Sequence, residues 1–177
     1  MTIFSLILLL AVRVSESTNA MKKSVSEFGL SLFNLRASQR RLSPVRDRLS
    51  EAIVFEKRAI NDFIESAVDA QSRRELASFY RLSVFKDSRK EVSEIRNRLD
   101  SLVKAVTDLP KDILADSSPI TAAVANAESA IEFFISHVTD SSSPDLSEVS
   151  DVFNRIDQVE SLAAKLLKTS SEVVFAK

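Results

Sequence analysis

Glycine is almost absent from this 177-residue chain, which contains a single one at Gly29. Glycine supplies the left-handed backbone positions that tight hairpins, bulges and phosphate-binding loops require, so these elements are improbable here. The chain also lacks cysteine, which excludes disulfides, thiolate nucleophiles and thiolate metal sites. The sequence therefore predicts an all-helical protein.

The first 20 residues have the features of an export leader. Residues 3–12 are almost entirely apolar, but this run is half the length of about 20 residues that a membrane-spanning helix needs. A short apolar run near the N-terminus is typical of a signal peptide, and small residues allow cleavage before Thr18 or Met21. Arg13 and Glu16 end the run abruptly, which argues against a buried N-terminal helix. We predict a signal peptide over 1–20, one helical domain over 21–177 and a secreted, extracellular protein without a transmembrane segment in its mature form.

Two kinds of pattern mark the starts of helices. Ser-Pro pairs occur at 43–44, 118–119 and 143–144, where serine can cap the helix and proline can occupy its first turn. Capping boxes, in which a serine precedes a glutamate by three residues, begin at Ser24, Ser72 and Ser88. Together they predict an antiparallel bundle of five to six helices with short connections. Whether residues 44–86 form one helix or two stays open.

Apolar spacing supports the same fold. The most regular stripe has steps of three and four residues, and a less regular one after Ser72 uses Leu76, Phe79 and Tyr80. Several stripes are wider than the seam of a two-stranded coiled coil, which favours helices packed between two neighbours. Short connections make consecutive helices antiparallel neighbours. The regular stripe consists of Val92, Ile95, Leu99, Leu102, Val106 and Leu109.

Three stretches give the chain a resemblance to a known module. They are Leu42-Ser43-Pro44-Val45-Arg46, Glu51-Ala52-Ile53 and the segment from Leu99 to Leu109-Pro110. Over roughly residues 40–112 the chain resembles the WSN domain of nematode secreted proteins. The resemblance implies a helical module near the N-terminus of an exported chain, with an undefined function and no catalytic residues to transfer.

Side chains suited to catalysis or metal binding are scarce. His137 is the only histidine, which excludes a multi-histidine metal site, and we assign it a structural role near the end of a helix. Four carboxylates cluster near a predicted helix start, where they complement the helix dipole, and no calcium loop with its central glycine surrounds them. We therefore expect no enzyme, no catalytic residue, no cofactor and no metal site. The four carboxylates are Asp140, Asp145, Glu148 and Asp151.

Charge is divided unevenly along the chain. Residues 21–104 contain 18 basic and 12 acidic side chains, whereas residues 105–177 contain 5 basic and 12 acidic ones. The simplest interpretation is that the two halves attract each other as packed neighbours. An exported chain with a net charge of −1 is a poor candidate for nucleic-acid binding, so the arginines between residues 36 and 48 are interpreted as a solvated corner.

Four phenylalanines mark a candidate surface for a partner or hydrophobic ligand. Phe133 and Phe134 are adjacent and therefore about 100° apart on a helix, so both cannot face one core. Phe28 and Phe33 raise the same question on an earlier helix. Two functions remain open: a secreted, non-catalytic bundle that binds an unknown protein partner, or an extracellular carrier of lipid or another hydrophobic ligand. A carrier would need a cavity of roughly 300–1,000 Å³.

Overall fold

The chain forms four α-helices and no strand within the residues that its structure, a computed structural model, describes. These are residues 3–65, 70–111, 113, 117–139 and 146–175, with side chains described for 10–59, 72, 74–111, 113, 117–136 and 146–175. The all-helical prediction is confirmed. The helices are α1 (Ile3–Glu65), α2 (Ala70–Thr107), α3 (Ser118–Thr139) and α4 (Leu146–Phe175).

The helices pack as an up-down-up-down bundle. α1 packs against α2 and α4, and α3 packs against the same two helices from the diagonal position. Two contacts along each pair show that neighbours are antiparallel. Between α1 and α4, Arg36 meets Glu160 and Arg46 meets Phe153. Between α1 and α2, Arg41 meets Glu94 and Glu56 meets Arg81. Each helix therefore turns its apolar stripe toward two neighbours, as the wide stripes require.

The prediction of five to six helices is wrong, since four helices account for the described residues. One reason is Pro44, which lies inside α1 instead of starting a helix. The apolar stripe stays in phase across it, from Leu42 through Val45 to Leu49, and all three side chains are buried. An interior proline costs about 3 kcal/mol, whereas each buried aliphatic side chain contributes about 1.5–3 kcal/mol. Burial therefore outweighs the lost backbone hydrogen bond.

The capping boxes are the second reason. Ser24 and Ser88 lie within helices, and each hydroxyl donates to the carbonyl four residues earlier, at 3.2 Å to Ala20 and 2.6 Å to Val84. Ser72 is the third residue of α2. A serine bonded to its own helix does not cap a new one, so the helices predicted on either side of Ser88 are one continuous α2.

Other boundaries agree with the sequence. α2 ends at Thr107, shortly before Pro110, and α3 begins at Ser118-Pro119. Residues 44–86 belong to two helices, because α1 ends at Glu65 and α2 begins at Ala70. The Ser143-Pro144 pair lies outside the described residues.

Large apolar side chains fill the centre of the bundle. The predicted stripe of α2 is buried throughout, and Leu99 is fully inaccessible to solvent. The partly buried Leu167 side chain packs beside Gly29. A Cβ atom added to Gly29 would lie 3.7 Å from Leu167 Cδ1. The largest fully buried side chains are Phe28, Phe85, Leu32, Leu35, Leu42, Leu49, Ile95, Leu99, Leu102, Ile120, Ile131 and Ile156.

α1 extends beyond the bundle at both ends. Its 63 residues correspond to about 95 Å, against about 45 Å for a helix of 30 residues such as α4. At the N-terminal end, residues 3–20 continue as helix, and Leu10, Val12 and Val14 are exposed. At the other end, Phe153 of α4 lies beside Arg46 of α1. Because α4 begins only about 10 Å before Phe153, the hairpin of α1 and α2 continues beyond the start of α4. We call the part of the α1–α2 hairpin beyond α4, residues 54–65 and 70–82, the arm.

Candidate interaction surface

The four phenylalanines singled out in the sequence do not share one surface. Phe28 and Phe134 are buried in the core, whereas Phe33 and Phe133 are exposed. The Phe134 ring packs against Phe85 of α2 with centroids 5.6 Å apart. Phe133 lies on α3 and Phe33 on the diagonally opposite α1, so the two exposed rings belong to separate parts of the bundle.

Among the described side chains of the arm, the buried ones are small or charged. Ala59 of α1 and Ala77 of α2 are buried and allow the two helices to approach closely. Glu56 accepts hydrogen bonds from the Arg81 guanidinium and from the Ser78 hydroxyl, the latter at 2.9 Å. The side chains of Glu56 and Arg81 are only 13% and 9% exposed. A buried ion pair that also accepts a hydrogen bond from a serine fixes the register of two helices because a slip would leave charges unpaired.

The large apolar side chains that the structure describes in the arm are exposed. Phe79 is the most exposed at 72%, and the Phe55 ring contacts Tyr80 edge-on with centroids 6.2 Å apart. Leu76, Phe79 and Tyr80 are neighbours on α2 because they are three and four residues apart. We call the five side chains Val54, Phe55, Leu76, Phe79 and Tyr80 the aromatic face. Their exposed fractions range from 37% to 72%.

A groove of about 530 Å³ lies along part of the aromatic face. Val54, Phe55 and Tyr80 form its apolar walls. Glu51 and Arg58 also line it and are two helical turns apart on α1, so one end is acidic and the other basic. Neither charge forms an ion pair within the described residues. The groove therefore presents opposite charges on either side of an aromatic centre.

Sequence reasoning missed this surface because it placed Leu76, Phe79 and Tyr80 on a core stripe. The structure corrects this: they are exposed, and Ala77 and Arg81 of the same helix are buried. The sequence did contain a signal for the buried face. The regular apolar stripe of α2 can be continued toward the N-terminus at steps of three or four residues. That continuation runs through Val92, Ser88, Phe85, Arg81 and Ala77.

Three of the five arginines between residues 36 and 48 form ion pairs with carboxylates: Arg36, Arg41 and Arg46. Arg36 Nε lies 2.7 Å from Glu160 Oε1, and Arg46 lies beside Asp47 and over the Phe153 ring. These side chains border an open groove of about 420 Å³ between α1 and α4. Partial burial, and then repulsion by Glu160, raises the pKa of Asp157 in this groove. The walls of this groove therefore include basic side chains, such as Arg36 and Arg46, and acidic ones, Asp157 and Glu160.

Carboxylates elsewhere are also engaged within the bundle. Partial burial raises the pKa of Glu128. A hydrogen bond with Asp100 and repulsion by the Asp100 carboxylate raise this pKa further. Asp151 accepts a hydrogen bond of 2.7 Å from Arg155. Asp140 and Asp145, and the side chain of His137, lie outside the described residues. Among the described side chains no three His, Cys, Asp or Glu residues are grouped as metal ligands would be.

In the described part of the chain, no helix contains an apolar stretch long enough to traverse a bilayer. Compared with known protein families, with curated proteins and with solved structures, the chain matches none of them.

Proposed function

We propose that this chain is an exported, non-catalytic helical-bundle protein that acts through protein–protein contacts made by the aromatic face of the arm. The observation that carries the proposal is the reversal of side chains in the arm, where Phe55, Phe79 and Tyr80 face outward and Glu56 and Arg81 face inward. The export leader and the resemblance to a secreted module support the location.

The size and chemistry of the face suit a protein partner. A fully exposed aromatic side chain offers about 150–250 Å², so the five exposed side chains present on the order of 500 Å² of apolar surface. Contiguous apolar patches of this size on a single protein are often functional. Interfaces are enriched in aromatic residues and arginine, with charged residues at the rim, and Glu51 and Arg58 occupy such rim positions.

The arm also presents its aromatic residues on a rigid support. Glu56, Ser78 and Arg81 join the two helices by hydrogen bonds, and Ala77 is fully buried between them. A surface that is already ordered loses less conformational entropy on binding. The internal network therefore favours binding of a protein to the outer face.

The alternative function, a carrier of hydrophobic ligands, depends on a different part of the molecule. A groove lined largely by apolar side chains lies at the leader end, measures about 590 Å³ and includes Val14, Met21 and Val174. Its walls also include Arg13 and Lys22, and two of its apolar side chains come from the predicted leader. The described centre of the bundle is occupied by side chains such as Phe28, Leu99 and Ile131. These features favour the interaction function over the carrier.

Expression of residues 1–177 in a secreting eukaryotic host tests export and supplies protein for the binding tests. We expect the protein in the medium with a new N-terminus at Thr18 or Met21, determined by N-terminal sequencing. Protein that stays inside the cells with Met1 intact would contradict export.

The binding site is tested on the secreted protein with a photoreactive phenylalanine analogue at position 79. We expect protein adducts after illumination, and none with the analogue at position 33, which is equally exposed but lies on the bundle. The same protein is titrated with a fluorescent fatty acid and with retinol. Saturable binding of one ligand per chain would contradict the proposed function and support the carrier.

A further inference from the structure

The groove on the aromatic face is self-complementary, and from this we infer that its occupant is a second copy of this chain. Two copies would pair through their arms about a two-fold axis. This inference rests on the proposed function and names the partner. In such an interface the same patch is used twice, so a feature at one end of the patch must complement the feature at its other end.

Charge provides this complementarity. Glu51 and Arg58 line the same groove with Val54, Phe55 and Tyr80 between them, and seven residues of helix separate them by about 10 Å. When a second groove is rotated by 180° about an axis through the aromatic centre, the acidic end of each copy meets the basic end of the other. Two intermolecular Glu51–Arg58 pairs would form. Neither residue has an ion-pair partner within the described part of a single copy.

The surface area is sufficient for such a pair. Each aromatic face presents on the order of 500 Å² of apolar surface, and two faces together reach about the 1,000 Å² that a specific interface needs. This value is at the lower end for protein interfaces. We therefore expect a dimer with a micromolar Kd that dissociates on dilution.

A second copy fits the groove better than an anionic lipid surface does. Basic side chains near the face, such as Lys57 and Arg74, are exposed and would attract anionic lipid. However, Glu51 lines the groove itself and would be brought against the same headgroups, and Glu75 neighbours Leu76 on α2. A surface with both signs of charge around an aromatic centre matches a rotated copy of itself.

Sedimentation equilibrium of the secreted chain between about 1 and 100 µM tests the inference. We expect a monomer–dimer equilibrium for the wild type and at least a tenfold weaker one for Phe55→Ser/Phe79→Ser. The matched control is Phe33→Ser, which removes an exposed ring from the bundle and should leave the dimer unchanged. Circular dichroism verifies that each variant keeps its helices.

Charge exchange tests the two-fold arrangement directly. Glu51→Arg and Arg58→Glu should each weaken the dimer at least tenfold, because each places like charges opposite each other. Glu51→Arg/Arg58→Glu exchanges the two ends and should restore association to within about threefold of the wild type. Restoration by the double variant would support the two-fold pairing, and failure to restore it would overturn it.

Three results would overturn the inference. The first is a wild-type chain that stays monomeric up to 100 µM. The second is Phe79-dependent binding to phosphatidylserine vesicles, which would assign the face to lipid. The third is that the photoreactive analogue at position 79 forms protein adducts, but none with twice the mass of the chain. That third result would leave the proposed function standing with a different protein partner, whereas saturable fatty-acid binding would contradict the proposed function itself.

Discussion

The bundle and the arm share α1 and α2 but distribute their side chains in opposite ways. In the bundle, Leu32, Leu99 and Ile156 are buried and the charged side chains lie at the surface. In the arm, Arg81 is buried and Phe79 is 72% exposed. A helix that packs against two neighbours can bury a wide apolar stripe, whereas a helix with one neighbour buries only a narrow one. Among the described side chains, the difference teaches that apolar burial contributes less to the arm than to the bundle.

The largest expected effect is the loss of a core side chain in the bundle. Leu99→Ala should lower the free energy of unfolding by about 2–5 kcal/mol, because Leu99 is fully buried and its removal leaves a cavity. Chemical denaturation of wild type and variant measures the difference. The matched control in the arm is Leu76→Ala, where the side chain is 64% exposed and we expect a change near zero. Equal losses at the two positions would contradict the comparison.

A smaller and local effect is expected at the buried ion pair of the arm. Arg81→Met leaves the Glu56 carboxylate without its charged partner, which should cost about 1–3 kcal/mol. Hydrogen exchange should become faster at the amides of residues 54–59 and 74–82 and stay unchanged around Leu99. Arg74→Met, which removes an exposed arginine of the same arm that takes no part in the proposed Glu51–Arg58 pairing, serves as the control.

A double variant separates the ion pair from the packing around it. Glu56→Leu/Arg81→Met removes both charges, and we expect it to recover much of the protection lost in Arg81→Met, because replacing both members of a buried pair is often neutral. Unchanged exchange in Arg81→Met would mean that the pair does not hold the arm together.

The sequence was most informative where apolar stripes were long and regular. The stripe from Val92 to Leu109 is buried throughout, and α3 begins at the predicted Ser118-Pro119 pair. Sequence patterns failed where a local start signal competed with burial. Pro44 and Ser88 both carry such signals, but the apolar side chains around them remain in phase, so the helices continue.

The candidate site was less predictable than the fold. Leu76, Phe79 and Tyr80 have the spacing of a buried stripe, and nothing in that spacing reveals that, among the described helices, only α1 packs beside α2 there. Burial of Arg81 depends on Glu56, which is 25 residues away in the sequence. A stripe shows which residues share a helix face, but the number of neighbouring helices decides which face becomes buried.

The smallest expected effect concerns the charges along the α1–α4 seam of the bundle, which are more exposed than the ion pair of the arm. Partial burial, followed by repulsion from Glu160, raises the pKa of Asp157 above 3.8, its ordinary value. The folded state therefore binds the proton more tightly than the unfolded state does. The stability that Asp157 contributes is fully present below pH 3.8 and is lost as the pH rises through its folded pKa.

The variant Asp157→Asn tests whether the charged carboxylate of Asp157 lowers the stability of the folded chain at neutral pH. The amide oxygen can still accept the hydrogen bond that Gln39 donates to Asp157, but it carries no charge. At pH 7 the variant should melt slightly higher than the wild type, by less than the about 2–4 °C that 1 kcal/mol gives in a chain of this size. The two melting temperatures should converge as the pH falls to 3.8. A variant that melts lower at pH 7 would mean that the carboxylate stabilises the seam, and the seam would then depend on charge as the arm does.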